Sequence, residues 1–119
     1  MINRYSRKEL KNIWTDENKY KLWLDIELAA AEAMEKLNII PKGVVKKVRS
    51  KAKINVVRIL QIEKSVKHDV IAFLTSVTEK VGKEARFLHK GMTSSDVLDT
   101  CFNLQLRESG KILLDDIKN

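Results

Sequence analysis

The sequence predicts an all-α chain, and three observations carry that prediction. Apolar residues recur at i, i+3, i+4 and i+7 along nearly its whole length, the period of a helix rather than a strand. One proline and four glycines in 119 residues are too few for the turns of an all-β fold. Ser, Thr and Asn stand just ahead of several apolar segments, where helices take their N-caps. The 44% apolar content suffices for one core, and the length leaves room for one small domain.

Each helix has its own signals. Ser6-Arg7-Lys8-Glu9 reads as a capping box opening a short helix to about Trp14. Thr15-Asp16-Glu17 starts a second helix, with acids in its first turn where the macrodipole favours them. Trp23, Ile26, Ala30, Ala33 and Leu37 form its predicted inner stripe, widened by Leu24, Leu28 and Ala31. Asn38-Ile39-Ile40-Pro41 ends it, because the residue before proline resists the α conformation. A third helix is expected from about Lys42 to Ala52, with Val44, Val45 and Val48 inward. Asn55 caps a fourth, from about Val56 to Lys64. A fifth begins near His68-Asp69 and runs through Val70, Phe73, Leu74 and Val77 to Gly82. The β-branched Val70, Ile71 and Val77 argue for a strand, but the helical spacing and the closing glycine outweigh them. Gly91 to Asp96 is a loop into the last helix, with Thr93 and Asp96 as a capping-box variant. That helix carries Leu98, Phe102, Leu106, Leu113 and Ile117 on one stripe. It has no stop signal: a natural C-terminal helix can end this way, and so does a helix cut in its middle, which leaves a stripe its own chain cannot cover. Association into dimers or larger oligomers is expected from that stripe.

Composition narrows the function. The longest apolar runs are about five residues, against the ~18 a membrane-spanning helix needs. The N-terminus has no apolar core of a secretory signal, and the single Cys101 excludes a disulfide framework. The expected compartment is the reducing cytoplasm. The net charge of +7 has one source, Lys42, Lys46, Lys47, Arg49, Lys51, Lys53 and Arg58, with no acid among them. The stretch reads either as a nucleic-acid surface or as a solvated helix face. The second is favoured, because no aromatic residue is interleaved to stack a base.

Few residues offer chemistry. There is no metal-ligand spacing and no partner for Cys101, and no glycine-rich phosphate loop; no metal and no cofactor are expected. Arg4, Lys67 and His68 can donate to anions. Thr93, Ser94 and Ser95 offer hydroxyls and backbone N–H groups at a helix N-terminus, where carboxylates and phosphates bind. Two helix starts of this kind, near His68 and Thr93, suit a ligand with more than one anionic group. Ordinary capping explains the same residues, and sequence alone does not say whether the two starts converge.

Four segments together carry a resemblance: Ile2 to Arg7, Ile13 to Asn18, Ile62-Glu63-Lys64 with Lys67-His68-Asp69-Val70, and His89 to Val97. In this order they resemble the adenylosuccinate lyase family, a branch of the fumarase/aspartase superfamily. The Thr93-Ser94-Ser95-Asp96 element is shared across that superfamily, whereas Arg4-Tyr5 and Lys67-His68-Asp69 point to the adenylosuccinate branch. Family members are several times longer. The resemblance implies an N-terminal helical domain over 1–92, and the start of the central helix bundle over 93–119.

The activity implied is β-elimination of fumarate from adenylosuccinate, giving AMP, and from the succinylated aminoimidazole-carboxamide ribotide of purine biosynthesis. Such a reaction needs a base, an acid and partners for developing carboxylate charge. By resemblance Arg4 and Tyr5 match nucleotide-binding positions. Lys67, His68 and Asp69 match a substrate-contacting segment, Thr93 and Ser94 hold the succinyl carboxylates, and His89 lies nearer the phosphate. Most members have Arg where this chain has Lys67, which keeps the charge but loses the bidentate fork. The family's general base, a serine on a mobile loop, and its acid, a histidine of the central domain, have no counterpart here. His68 keeps a possible supporting role. The isolated chain is therefore expected to be inactive, and the site residues to share few sides of the domain. The family also implies a homotetrameric parent whose sites draw on several subunits, a nucleotide substrate, and no nucleic-acid or membrane partner. The rivals are the basic nucleic-acid module and another lyase of the superfamily; Arg4-Tyr5 argues against the latter.

Overall fold

The computed structural model describes residues 2–119, and every regular element among them is helical. A 3₁₀ turn at Asn3–Tyr5 precedes α1 (Lys8–Ile13), α2 (Asp16–Lys36), α3 (Val44–Lys51), α4 (Val56–Val66) and α5 (Asp69–Val81). A second 3₁₀ turn at Lys83–Phe87 leads to α6 (Ser94–Lys118). No helix is long and apolar enough to cross a membrane among these residues.

Local chemistry sets most of the boundaries. Thr15 caps α2 by accepting from the Asn18 N–H at 3.2 Å, and Asn55 caps α4 by accepting from Arg58 N–H at 3.0 Å. The exit of α2 precedes its proline. Asn38 adopts φ 58°, Ile39 N–H donates to Met34 O at 2.8 Å, and Asn38 N–H to Glu35 O at 3.0 Å. That pair of bonds is a Schellman motif, so the left-handed Asn38 ends the helix and Pro41 only prevents its resumption. The entry to α3 has Gly43 at its N-cap and no capping side chain of its own. Glu35 of α2 fills the gap, its Oε1 accepting from Val45 N–H at 2.7 Å, which satisfies a donor that a helix start leaves free.

Two sequence-based expectations are corrected. The Ser6–Glu9 capping box does not form: Arg7 is the N-cap of α1 without a side-chain bond, and the Ser6 hydroxyl donates back to Ile2 O at 2.5 Å. The local turn at Asn3–Tyr5 captures the hydroxyl first. The inner stripe of α2 is also rotated. Its buried residues are Tyr20, Trp23, Glu27, Leu28 and Ala31, whereas Ala33 and Leu37 are exposed. The predicted stripe followed hydropathy alone, and the true seam includes a carboxylate.

The core gathers on α5. It packs against α4, the second 3₁₀ turn and α3, while α2 packs against α6, α3 and α4. Trp23, Tyr20 and Phe73 interlock at its centre, with Trp23 edge-on to both partners at 5.1 and 5.5 Å between ring centroids. Edge-to-face contacts of this kind add to plain area burial. Val44, Val45 and Val48 face inward as expected.

The last helix is two-sided. Val97, Cys101 and Gln105 are buried at i, i+4 and i+8, whereas Phe102, Leu106, Leu113, Leu114 and Ile117 are each about half exposed or more. Of the predicted stripe only Leu98 packs on the core. The helix is 25 residues, about 37 Å at 1.5 Å per residue, and its second half runs past the core. The radius of gyration of 16.0 Å accordingly exceeds the ~13.5 Å of a compact chain of this length.

Candidate functional site

Two helix starts meet in one corner. Lys67 takes a left-handed conformation, φ 54°, and its N–H closes α4 by donating to Glu63 O at 2.7 Å. The chain turns at once into α5, with His68 as N-cap: Nδ1 accepts from the Ile71 N–H at 3.3 Å. Since Nδ1 is an acceptor there, the network assigns the ring proton to Nε2 in the neutral ring. Nε2 faces Ser94 Oγ at 3.5 Å, and Ser94 is the first residue of α6. Asp69 Oδ1 accepts from Val70 N–H at 2.7 Å. On the α6 side, Thr93 N–H donates to Asp96 Oδ2 at 2.8 Å, the carboxylate half of the capping box read from the sequence.

The corner suits anions. Two helix N-termini bring positive dipole ends, although the Val70 and Ile71 N–H groups of the α5 start are taken by Asp69 and His68; His68 and the exposed Lys67 add donors, and the Ser94 hydroxyl remains able to donate outward. The Tyr20 phenol, within range of the Asp69 charge, is buried. Burial first, then the charges of Asp16, Glu63 and Asp69, push its pKa from 10.0 up to about 12, so it stays neutral.

The remaining candidates lie elsewhere. The Arg4 guanidinium stacks on the Tyr5 ring at 4.8 Å, and Tyr5 is 74% exposed. Arg7 pairs with Asp116 near the C-terminal end of α6, and Trp14 Nε1 donates to Ser109 Oγ at 3.0 Å, so α1 runs antiparallel to α6. Arg4 and Tyr5 thus lie toward one end of α6, and His68 with Ser94 at the other. Within one chain the structure joins His68, Asp69, Thr93 and Ser94, and leaves Arg4 and Tyr5 apart.

His89 is engaged internally. Its φ is 62°, its N–H donates to Glu27 Oε2 at 2.8 Å, and its Nδ1 lies 2.6 Å from Glu27 Oε1. Glu27 was not a sequence candidate. Its signal was available, an acid four residues from both Trp23 and Ala31 on the inner face of an amphipathic helix. The basic stretch is partly paired by acids from other elements, Lys47 with Glu84 at 3.6 Å and Arg58 with Glu79 at 2.9 Å. The backbone amide of Glu84 itself, with Lys51, Lys47 and Lys83, holds that carboxyl below its ordinary range against the effect of burial.

Comparison with known proteins shows the family. The chain is 48% identical over 118 residues to adenylosuccinate lyase of Thermotoga maritima and 47% identical to that of Bacillus subtilis. Each alignment covers 99% of this chain and 27% of the relative, so the chain spans about a quarter of the length of these relatives. The crystal structure of fumarate lyase from Mesorhizobium sp. BNC1 superposes with a TM-score of 0.76 over 87% of this chain and 26% of that one; at 21% identity the likeness is one of fold. A family model described as "Lyase" matches residues 3–119, and the chain belongs to that lyase family.

Proposed function

We propose that these residues supply one corner of the substrate site of an adenylosuccinate lyase, which expels AMP from adenylosuccinate and releases fumarate by β-elimination. The observation that carries this reading is the 48% identity to a protein of that name across the whole chain. The meeting of His68 with Ser94 supports it chemically. A succinyl carboxylate bound at this corner accepts from backbone N–H groups at the α6 start and from the Ser94 hydroxyl, with the His68 Nε2–H beside it. Such donors stabilise the negative charge that grows on the carboxylate as the adjacent carbon loses its proton. Lys67 adds a cation without a bidentate fork.

Arg4 and Tyr5, at the other end of α6, fit a nucleotide held between copies rather than within one. The exposed face of α6 from Phe102 to Ile117 is the surface through which such copies, or further helices of a longer chain over the 93–119 segment, associate. No residue here is assigned as the base that removes the carbon-bound proton, and general acid and base groups are each worth roughly 10²–10⁴ in rate.

The test titrates the 119-residue chain with adenylosuccinate and follows amide and imidazole resonances. Perturbation at His68 and Ser94, abolished in His68→Ala, with no detectable turnover, is the expected result. Absence of any perturbation at those residues at millimolar ligand refutes the reading. Turnover that survives rigorous removal of host lyase and vanishes in His68→Ala makes His68 catalytic in its own right.

A further inference from the structure

Glu27 is 0% exposed, in the seam of α2 between Trp23 and Ala31. A carboxylate without hydrogen-bond partners is costly in such surroundings, and here both oxygens are used by one residue. His89 donates its backbone N–H to Oε2 at 2.8 Å, and its ring Nδ1 meets Oε1 at 2.6 Å. His89 itself stands in the left-handed region at φ 62°, a conformation that a side chain with a Cβ adopts only when its surroundings hold it there. The two bonds to Glu27 hold it from another helix, beside the local bond from Met92 N–H to His89 O at 3.4 Å. Beyond His89 the chain reaches Ser94 in five residues, through Gly91 at φ 70°. Leu88 and Val97, both buried, pin the segment at its ends, and Met92 packs against the core between them; His89 adds hydrogen bonds to a buried side chain of another helix.

We infer that Glu27 is a positioning residue: through His89 it fixes the loop that delivers Ser94 and the start of α6 to His68. The inference rests on the reading of that corner as a substrate site. Anion-binding N–H groups act only when aimed, and a misplacement of about 1 Å is enough to lose much of their effect. Sequence position gives no hint of the link, since Glu27 and His89 are 62 residues apart.

Two substitutions separate hydrogen bonding from packing. Glu27→Leu keeps bulk in the seam and has no acceptor. Glu27→Gln keeps the shape: its carbonyl oxygen accepts from His89 N–H, and its amide donates to Nδ1 of a neutral imidazole. Amide exchange and nuclear Overhauser contacts are measured on the chain without ligand. In the unmodified chain the His89 amide is protected and the His68 ring shows a contact to the Ser94 β-protons. Glu27→Leu, with its helical signal retained, speeds exchange over 89–94 by about tenfold or more, the loss expected for a bond to a charged acceptor. It also loses the His68–Ser94 contact, while exchange at Phe73 changes less. Glu27→Gln restores both.

Unchanged protection and contact in Glu27→Leu overturn the inference. So does a His89 amide that exchanges like an exposed loop in the unmodified chain, a result that decides the matter even if Glu27→Leu does not fold. With adenylosuccinate added, Glu27→Leu binds about tenfold more weakly and Glu27→Gln close to normally. Failure of the unmodified chain to bind at all refutes the substrate reading, whereas the ligand-free measurements judge Glu27 separately.

Discussion

Gln105 donates its side-chain amide to the backbone carbonyl of Ile13 at 3.1 Å, from the buried face of α6 to the last turn of α1. The bond matters because α1 has no buried residue of its own. Six residues are too few for a helix to persist unaided, so α1 exists by attachment. Its other ties include the Arg7–Asp116 pair at its N-cap, Asn18 Nδ2 to the same carbonyl at 2.9 Å, Trp14 Nε1 to Ser109, and the Trp14 ring edge-on to Phe102 at 6.0 Å.

Gln105→Leu is therefore expected to loosen α1 selectively. One carbonyl bond is lost while Asn18 keeps the oxygen satisfied, so the global cost is about 1 kcal/mol. The sharper effect is on α1, whose amides exchange faster while those of α4 and α5 change little. Amide exchange read residue by residue checks this. Uniform acceleration across the chain, or no change in α1, counts against attachment through Gln105.

Opposite signs are expected at two glycines. Gly82 ends α5 at φ 88°, ψ −145°, a region open almost only to glycine, and a Cβ there meets nothing within 4 Å. The cost of Gly82→Ala is thus backbone strain alone, about 1–3 kcal/mol. Gly110 lies inside α6 with equal room for a Cβ. Gly110→Ala removes only the entropic penalty of glycine in a helix and stabilises by about 0.5–1 kcal/mol. Urea unfolding of both variants, followed by circular dichroism, checks the pair; a shift of the same sign in both contradicts the argument.

What the sequence discloses depends on whether a signal is local. Thr15, Asn55, Thr93 with Asp96, and the closing Gly82 act within one turn of helix, and each stands where the residues placed it. The Ser6 box is local too, yet it lost to a competing local bond, the Ser6 hydroxyl to Ile2 O. The inward faces of α2 and α6 were harder to read, because hydropathy favours Leu37 and Phe102 whereas the fold buries Glu27 and Gln105. Both buried polar side chains bond partners far away in sequence, His89 and Ile13, and no periodicity encodes a bond across 62 or 92 residues. The candidate site divides in the same way. His68 and Ser94 are each visible as helix starts, but their meeting at 3.5 Å is a product of how α5 and α6 pack.

The Tyr20 phenol gives a prediction in which burial and charge act together. Its pKa stands at about 12 against an ordinary 10.0, first because the ring is buried and then because Asp16, Glu63 and Asp69 repel a phenolate. The charged form of this group is the deprotonated one, so the folded chain keeps a proton that the unfolded chain gives up. Between pH 10 and pH 12 the native state binds more protons than the unfolded state, and stability falls as pH rises through that window. Below it the contribution is constant and fully present. Tyr5 is the only other tyrosine, so Tyr5→Phe isolates Tyr20 for titration by tyrosinate absorbance. The expected midpoint is about 12 while the helical signal persists, and near 10 in denaturing urea. Asp16→Asn lowers the native midpoint only part of the way, since burial is the larger cause. Lysines also titrate in this range, so the stability test is a difference. The urea midpoint of Tyr5→Phe falls more steeply with pH than that of the Tyr5→Phe, Tyr20→Phe double variant. A native midpoint near 10, with the helices intact, or parallel pH profiles of the two variants, contradicts the account of a neutral phenol held in the core beside Trp23 and Phe73.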